Sequence, residues 1–196
     1  MGSGKSTVCR IFAALGIPVY DADSRAKWLV QQDVDLKNGI VEIFGAAAYL
    51  PDGQYNRPWI AQTAFSQPEK LAALNALVHP AVEGDSSEWH QEQAEQGVPY
   101  TLREAALLIE SGNHRLLDAL IVVTAPEALR LQRVMQRDGL REEQVLARLS
   151  NQFPEAEKVR LADFVVVNDG EQLLVPQVLA IHRQLLAKQQ HAANIS

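Results

Sequence analysis

The first seven residues of the chain carry the residue types of a phosphate-binding loop. They read Met1-Gly2-Ser3-Gly4-Lys5-Ser6-Thr7 and contain the second half of the pattern G-x-x-x-x-G-K-[ST]. Glycines allow consecutive backbone N–H groups to turn inward around phosphate oxygens. The lysine adds a positive charge for the outer phosphates, and the hydroxyl that follows can bind a magnesium ion. The pattern therefore predicts a polyphosphate site at residues 2–7.

This segment also has a second interpretation, as a flexible polar leader without a binding role. Under the phosphate-loop interpretation, the first glycine of the motif and the strand that feeds it would precede Met1. However, apolar residues follow at helical spacing and a glycine comes where the helix should stop: Val8, Ile11, Phe12, Leu15 and Gly16. A loop that runs directly into a helix is the context that the motif requires, which favours phosphate binding.

Carboxylates stand at the ends of two predicted strands. Residues 17–20 are short, apolar and partly β-branched, and Asp21 and Asp23 follow them. Residues 98–103 have strand character and are followed by Glu104. In an open α/β sheet, ligands bind beyond the carboxyl ends of the strands. Asp21 or Asp23 can equally cap the next helix, and their position alone weights capping and catalysis evenly.

Strand and helix patterns alternate along the chain. The predicted strands are near 17–20, 98–103, 119–124 and 164–167, and the predicted helices span 24–44, 58–65, 68–78, 80–96, 126–137, 141–152, 154–161 and 171–188. This alternation predicts a parallel, doubly wound sheet. The block 24–96 is nearly all helix and is too long for a simple crossover, so we expect it to be a substrate-binding subdomain.

Arginines are concentrated in one quarter of the chain, at Arg130, Arg133, Arg137, Arg141 and Arg148. One interpretation is an exposed helix face, balanced by Glu142, Glu143 and Glu155. The other is a lid that closes over a polyphosphate, because the planar guanidinium fork grips phosphate oxygens in pairs. A phosphate loop elsewhere in the chain favours the lid. Arg137 is the leading candidate because it ends a helix next to a predicted break at Asp138-Gly139.

Composition argues against several classes of protein. The chain has 196 residues and a net charge of −6, which argues against a nucleic-acid partner but permits an anionic small substrate. Its single cysteine, Cys9, excludes an internal disulfide and suits a reducing cytoplasm. We expect neither a signal peptide nor a membrane span, because the sequence shows no signal-peptide pattern and no apolar run of about 18 residues. We therefore expect a cytoplasmic protein without a membrane partner, either a monomer or a weak homo-oligomer.

Four segments together resemble the dephospho-coenzyme A kinase family. They are G-S-G-K-S-T at 2–7, Y-D-A-D at 20–23, E-A-A-L-L-I-E-S-G at 104–112 and Q-R-D-G-L at 136–140. Weaker agreement is found at Asn56-Arg57, 65–69, His79-Pro80, Gln152 and Asn168-Asp169-Gly170. The resemblance implies an α/β, P-loop kinase-like fold in which a doubly wound parallel sheet carries helical substrate-binding and lid subdomains. The implied divisions are a core of 1–23, 97–136 and 162–190, an insertion of 24–96, and a lid of 137–161.

The resemblance also implies an activity and a set of site residues. The reaction would transfer the γ-phosphoryl group of ATP to the ribose 3′-hydroxyl of dephospho-coenzyme A, the last step of coenzyme A synthesis, with Mg²⁺ as cofactor. Asp23 matches the base, and Lys5 and Arg137 match the other catalytic groups. The implied nucleotide contacts are Gly2, Ser3, Gly4, Lys5, Ser6, Thr7, Arg137, Arg148 and, near adenine, Asn168. The implied acceptor contacts are Asp23, Arg57, His79, Glu104 and Glu110, and the implied magnesium residues are Ser6 and Glu104.

Two other functions are compatible with the same residues. One is another small-molecule or nucleoside monophosphate kinase of the P-loop superfamily. The other is a catalytically impaired nucleotide- or coenzyme-binding protein, because the loop lacks its first glycine. Since family members carry an apolar strand and a Gly-Gly pair before this segment, we expect the natural protein to begin roughly ten residues earlier. Without that strand, we expect a gap in the sheet, a disordered loop and weak ATP binding.

Overall fold

The computed structural model describes residues 1–150 and 152–193 as an α/β arrangement of short strands and many helices. The strands are β1 (Val19–Asp21), β2 (Leu102–Glu104), β3 (Ile121–Thr124) and β4 (Phe164–Val167). The helices are α1 (Lys5–Ala14), α2 (Ala22–Gln32), α3 (Val34–Phe44), α4 (Arg57–Ser66), α5 (Pro68–Glu95), α6 (Glu127–Asp138), α7 (Glu142–Leu149), α8 (Glu155–Leu161) and α9 (Leu174–Ala193). The chain divides into two compact units. The first unit consists of the residues on either side of residues 20–96, and the second unit consists of residues 20–96.

The first unit is built around the parallel pair β3–β4. The pair runs in register from Ile121 opposite Phe164 to Thr124 opposite Val167. Helices α1 and α9 contribute to its core, which contains Val8, Phe12, Ile17, Val123, Val166, Val178 and Ile181. The apolar spacing in α1 therefore serves burial against this core, as the sequence predicts. Because β3 and β4 are parallel, the segments that follow them begin at the same edge of the pair.

The strands form two separate pairs, β1 with β2 and β3 with β4. Within the described ranges, no ladder joins the two pairs. Strands β1 and β2 are also shorter than the patterns 17–20 and 98–103 suggest. The carbonyl of Pro18 accepts a 3.0 Å hydrogen bond from the amide of Leu102, just before β1 begins.

The second unit, Tyr20–Gln96, is a helical bundle. Helix α5 packs against α2, α3 and α4. The buried residues at the centre of the bundle are Val30, Ile40, Phe44, Ala48, Ile60 and Ala64. A short antiparallel bridge between Tyr49 and Tyr55 closes the loop that joins α3 to α4.

Two helix predictions for this unit are wrong. The single helix predicted over 24–44 is two helices, because Asp33 ends α2 and its carboxylate accepts a 2.8 Å hydrogen bond from the Leu36 amide to cap α3. Conversely, the helices predicted on either side of Pro80 are one helix, α5. An internal proline forfeits one backbone hydrogen bond. Packing of α5 along three other helices offsets that loss, which no local pattern reveals.

The carboxyl-terminal helices differ from the predictions only at their ends. The helix predicted over 141–152 spans Glu142–Leu149, and Asn151 lies outside the described residues. Helix α9 starts three residues later than predicted because the Asp169 carboxylate binds the amides of Glu171 and Gln172 at 3.0 and 2.9 Å, which forms a turn. The helix continues beyond the predicted end at residue 188 to Ala193. None of the described helices is long and apolar enough to cross a membrane.

Candidate active site

The glycine loop adopts the backbone conformation that its composition permits. Gly2 and Gly4 have φ angles of 75° and 95°, in the left-handed region that favours glycine. The carbonyl of Gly4 accepts hydrogen bonds from Thr7 and Val8 at 3.0 and 3.2 Å, so α1 begins directly after the loop. The first N–H groups of a helix have no intrahelical acceptor, and they favour anions. The loop and the start of α1 therefore form a suitable cradle for phosphate.

Glycine is also required because the loop is closely packed. A Cβ atom at Gly2 would lie 2.6 Å from the carbonyl oxygen of Arg130 and 2.9 Å from a methyl carbon of Val134. A Cβ atom at Gly4 would collide with the side-chain amide of Asn168. Ser3, between the two glycines, is buried. Helix α6 and the residue that follows β4 therefore pack closely against the loop and leave no space for a side chain at Gly2 or Gly4.

One carboxylate gathers the two functional side chains of the loop. The Oε1 atom of Glu104, at the end of β2, accepts a hydrogen bond from Ser6 Oγ at 2.9 Å. The same oxygen forms an ion pair with Lys5 Nζ at 3.2 Å. Glu104 is only 13% exposed at its side chain, so it is well held. The structure thus places Glu104, one of the carboxylates at the strand ends, beside the loop.

Asn168 lies immediately after β4 and reaches the loop. Its Nδ2 donates to the carbonyl of Ser3 at 2.7 Å, and its backbone amide donates to the carbonyl of Thr124 at 2.8 Å. Arg133 of α6 donates to the backbone carbonyl of Asn168 at 3.2 Å and to its Oδ1 at 3.4 Å. The sequence pattern contains no signal for this link, because its ends are 165 residues apart.

The five arginines have different surroundings. Arg130 is buried and paired with Glu155 at 2.9 Å, so the exposed-face interpretation is wrong for this residue. Arg137 and Arg148, the two predicted phosphate ligands, are exposed and share the carboxylate of Asp138, at 2.7 and 3.5 Å. The hydrogen bond from Arg137 is the main reason why the pKa of Asp138 is lowered. The structure therefore brings these two arginines together.

Glu110, which was predicted to contact the acceptor, makes its contacts with other residues of the first unit. Its carboxylate accepts from Lys158 Nζ at 2.9 Å and from the Phe153 amide at 3.0 Å. Burial alone would raise its pKa, but these hydrogen bonds outweigh burial and the pKa is lowered. This carboxylate joins the apolar turn after β2 to the segment around α8, a structural contact that the sequence did not predict.

The two candidate carboxylates at the end of β1 and the start of α2 have separate positions in the second unit. Asp21 is the N-cap of α2, accepting from the amide and hydroxyl of Ser24 at 3.0 and 2.7 Å. Asp23 lies in the first turn of α2 and is exposed, and its side chain is not part of that cap. Arg57, at the start of α4, and His79, within α5, are exposed as well. Of the two roles left open by the sequence, capping thus falls to Asp21.

The sequence analysis missed a polar cluster next to these carboxylates. Asp85 of α5 accepts hydrogen bonds from Tyr20 and from both Nε and Nη2 of Arg25. The Arg25 hydrogen bond is the main cause of the lowered pKa of Asp85, while burial, followed by Asp85, raises the pKa of Tyr20. Arg25 also lies 4.4 Å from the ring centroid of Trp28. The cluster ties the start of α2 to α5, across 60 or more residues of sequence.

The fold and the loop together place the chain in the class of P-loop kinases, and comparison with known proteins narrows this class to one family. A family model described as dephospho-CoA kinase matches residues 1–173. Curated dephospho-CoA kinases from Salinibacter ruber and Chlorobaculum tepidum are each 40% identical to the chain, over 87% and 95% of its length and 85% and 91% of theirs. The chain belongs to the dephospho-CoA kinase family.

Solved structures agree with this placement. A crystal structure of a Thermus thermophilus protein is similar with a TM-score of 0.79 and 34% identity, over 96% of this chain and 93% of that one. Dephospho-CoA kinase from Campylobacter jejuni is similar with a TM-score of 0.71 and 25% identity, over 96% and 94% of the two chains. The family and fold predicted from the sequence are thus confirmed. The chain is a kinase of the final step of coenzyme A biosynthesis, and the other kinase class and the impaired binding protein are not favoured.

Proposed function

We propose that this chain transfers the γ-phosphoryl group of ATP to the ribose 3′-hydroxyl of dephospho-coenzyme A, with the polyphosphate of ATP held by residues 2–7. The observation that carries the proposal is the gathering of Lys5 and Ser6 on the carboxylate of Glu104, at the start of α1. Phosphoryl transfer needs little covalent help from a protein and depends on positioning and charge neutralisation. The loop amides and the Lys5 ammonium group supply both.

Ser6 and Glu104 would hold Mg²⁺. Their side chains offer a hydroxyl and a carboxylate oxygen 2.9 Å apart, which are the hard oxygen donors that this ion prefers. No group of three or more potential metal-binding side chains occurs in the described part of the chain. Two protein oxygens nevertheless fit magnesium, because this ion commonly keeps waters and substrate phosphates as its other ligands. When bound, magnesium neutralises charge on the phosphate oxygens.

Arg137 and Arg148 would neutralise the phosphates from the lid. Both guanidinium groups now face one carboxylate, Asp138, and both are exposed, so a second set of anionic oxygens can compete for them. Arginine suits this exchange because its planar fork binds carboxylate and phosphate with similar geometry. An arginine in such a position can contribute about 10³-fold or more to the rate.

Asp23 would receive the proton of the attacking hydroxyl. Its exposure supports this role, as does the fact that its side chain takes no part in the α2 cap, because a base must be able to reach the substrate. Arg57, His79, Glu104 and Glu110 would contribute to the acceptor site of dephospho-coenzyme A, and Asn168 to the nucleotide site. We further propose that the protein acts in the cytoplasm as a monomer or weak homo-oligomer.

An acceptor panel tests the proposed reaction. ADP release is measured with ATP and Mg²⁺ in the presence of dephospho-coenzyme A, AMP or adenosine, and ³¹P NMR locates the new phosphate on the product. We expect turnover with dephospho-coenzyme A alone and a phosphate on the 3′-oxygen. Comparable turnover with AMP or adenosine, or a phosphate at another oxygen, would contradict the proposal.

Paired substitutions test the proposed base. Asp23→Asn should lower kcat by about 10²-fold or more while ATP binding survives, because the amide cannot accept the proton. Asp21→Asn is the matched control, since asparagine caps helices as well as aspartate does. Near wild-type turnover in Asp23→Asn would remove Asp23 from this role, and equal losses in both variants would indicate a structural effect.

A further inference from the structure

The carbonyl group of Ser3 takes its hydrogen bond from outside the loop. The backbone hydrogen bonds that open α1 go to the carbonyl of Gly4, from Thr7 and Val8. Ser3 is buried, and its carbonyl accepts from Asn168 Nδ2 at 2.7 Å. A buried carbonyl that lost this donor would be left unsatisfied, which is costly. The asparagine side chain therefore fixes the direction in which this carbonyl points.

The direction of that carbonyl decides the direction of a loop amide. In a trans peptide, the carbonyl oxygen and the following N–H lie on opposite sides of the bond. No peptide bond in the described chain is cis. Because the Ser3 carbonyl points toward Asn168, the N–H of Gly4 points away from it. The Gly4 amide is one of the groups that a phosphate-binding nest must present outward.

Asn168 is itself held in one orientation. Its backbone amide is bonded to Thr124 at the end of β3, which fixes its place at the end of the parallel pair. Arg133 donates to both its backbone carbonyl and its Oδ1. An arginine can only donate, so the amide oxygen faces Arg133 and the amide nitrogen faces Ser3. The absence of a side chain at Gly4 leaves room for this nitrogen to approach.

We propose that Asn168 is a positioning residue for the phosphate loop, and that Arg133 supports it by fixing the orientation of its amide. This proposal rests on the proposed binding of ATP phosphates by the loop. It differs from a role in reading adenine, because both ends of the Asn168 amide are engaged with the protein. Asn168 thus acts on the phosphates through the Ser3–Gly4 peptide and does not discriminate between nucleotide bases.

Kinetics with different phosphate ligands separate the two roles. In Asn168→Ala, the KM for ATP, the KM for GTP and the inhibition constant of tripolyphosphate should all rise by the same factor, about tenfold, as expected for one lost buried hydrogen bond. The KM for dephospho-coenzyme A should not change. Arg133→Lys should raise the same three constants by a smaller factor of about three, because lysine lacks the paired donors.

Gln177→Ala is the matched control. The Gln177 amide makes two hydrogen bonds to the backbone of Val167, at 2.8 and 3.0 Å, one residue before Asn168. Its loss should lower the melting temperature without changing the three phosphate constants. The Arg133→Lys series keeps the test decisive if Asn168→Ala does not fold.

Two outcomes would overturn the positioning role. In one, the inhibition constant of tripolyphosphate stays unchanged in Asn168→Ala while the preference for ATP over GTP falls, which would assign Asn168 to the base. In the other, Gln177→Ala raises the phosphate constants as much as Asn168→Ala does. Failure of the proposed function is distinguishable, because wild-type protein would then not be inhibited by tripolyphosphate and Lys5→Ala would not affect ATP binding.

Discussion

The replacement Glu104→Gln tests whether the carboxylate beside the loop serves the metal as well as the fold. Glutamine keeps the shape of the side chain but removes the charge that holds Lys5 and Ser6. A hydrogen bond to a charged group contributes about 1.5–3 kcal/mol, whereas an exposed ion pair contributes at most about 1 kcal/mol. Since Glu104 is 13% and Lys5 35% exposed, we expect a loss of about 1.5 kcal/mol in the free energy of unfolding.

That loss corresponds to a fall of about 3–6 °C in melting temperature for a chain of this length. The effect on the reaction should be larger. If Glu104 orients the magnesium ion, directly or through water, the Mg²⁺ concentration for half-maximal activity should rise by about 10–100-fold. The assay is ADP release at saturating ATP and dephospho-coenzyme A across a magnesium titration, with the melting temperature of each variant measured by calorimetry.

Glu155→Gln supplies the comparison for this experiment. Glu155 binds Arg130 at 2.9 Å in the same unit but makes no contact with Lys5 or Ser6 in the described contacts. The Glu155→Gln variant should lower the melting temperature by a similar amount and leave the magnesium titration unchanged. A stability loss in Glu104→Gln without a shift in the magnesium titration would refute the metal role. An equal shift in Glu155→Gln would attribute the effect to destabilisation.

Three further predictions concern the loop, the lid and the helical unit. Gly4→Ala should abolish ATP binding as measured by calorimetry. Gly16 has a similar φ of 84° but no atom near its Cβ position, so Gly16→Ala should only lower the stability. Equal ATP affinity in the two variants would refute the packing argument. Arg137→Ala should lower kcat by about 10³-fold in the ADP-release assay, and an unchanged kcat would exclude Arg137 from the lid function. Asp85→Asn should cost about 2 kcal/mol in urea unfolding at pH 6. Because Arg25 lowers the pKa of Asp85, this stabilisation is present above the unfolded pKa of about 4 and is lost as the pH falls through the folded pKa. The difference in the free energy of unfolding between wild type and Asp85→Asn should therefore shrink toward about pH 3. A difference that does not depend on pH would contradict this prediction.

The sequence predicted the elements whose cause is local. Helix α1 follows from the apolar spacing after the loop. Strand β4 matches its prediction at both ends, because a run of β-branched residues flanked by turn residues strongly favours a strand. The family assignment followed from four short segments whose combination is specific. Each of these signals is contained within a few consecutive residues.

The rest depended on distant contacts. The continuation of α5 through Pro80 relies on packing against three helices, and the cluster around Asp85 joins residues at least 60 positions apart. Charge patterning left both an exposed arginine face and a lid open, and it did not reveal that Arg130 is buried and paired with Glu155 of α8. The contact of Asn168 with the loop has no signal in the sequence, because its partner Ser3 lies 165 residues away. Such contacts are decided by the tertiary fold and not by any local pattern.

The central claim is that the loop at residues 2–7 holds the polyphosphate of ATP. A crystal structure of the protein with ATP and Mg²⁺ tests it most directly. We predict phosphate oxygens within hydrogen-bonding distance of the loop amides and Lys5 Nζ, with the metal beside Ser6. A nucleotide bound elsewhere, with these groups still turned toward Glu104, would contradict the claim and the roles assigned from it.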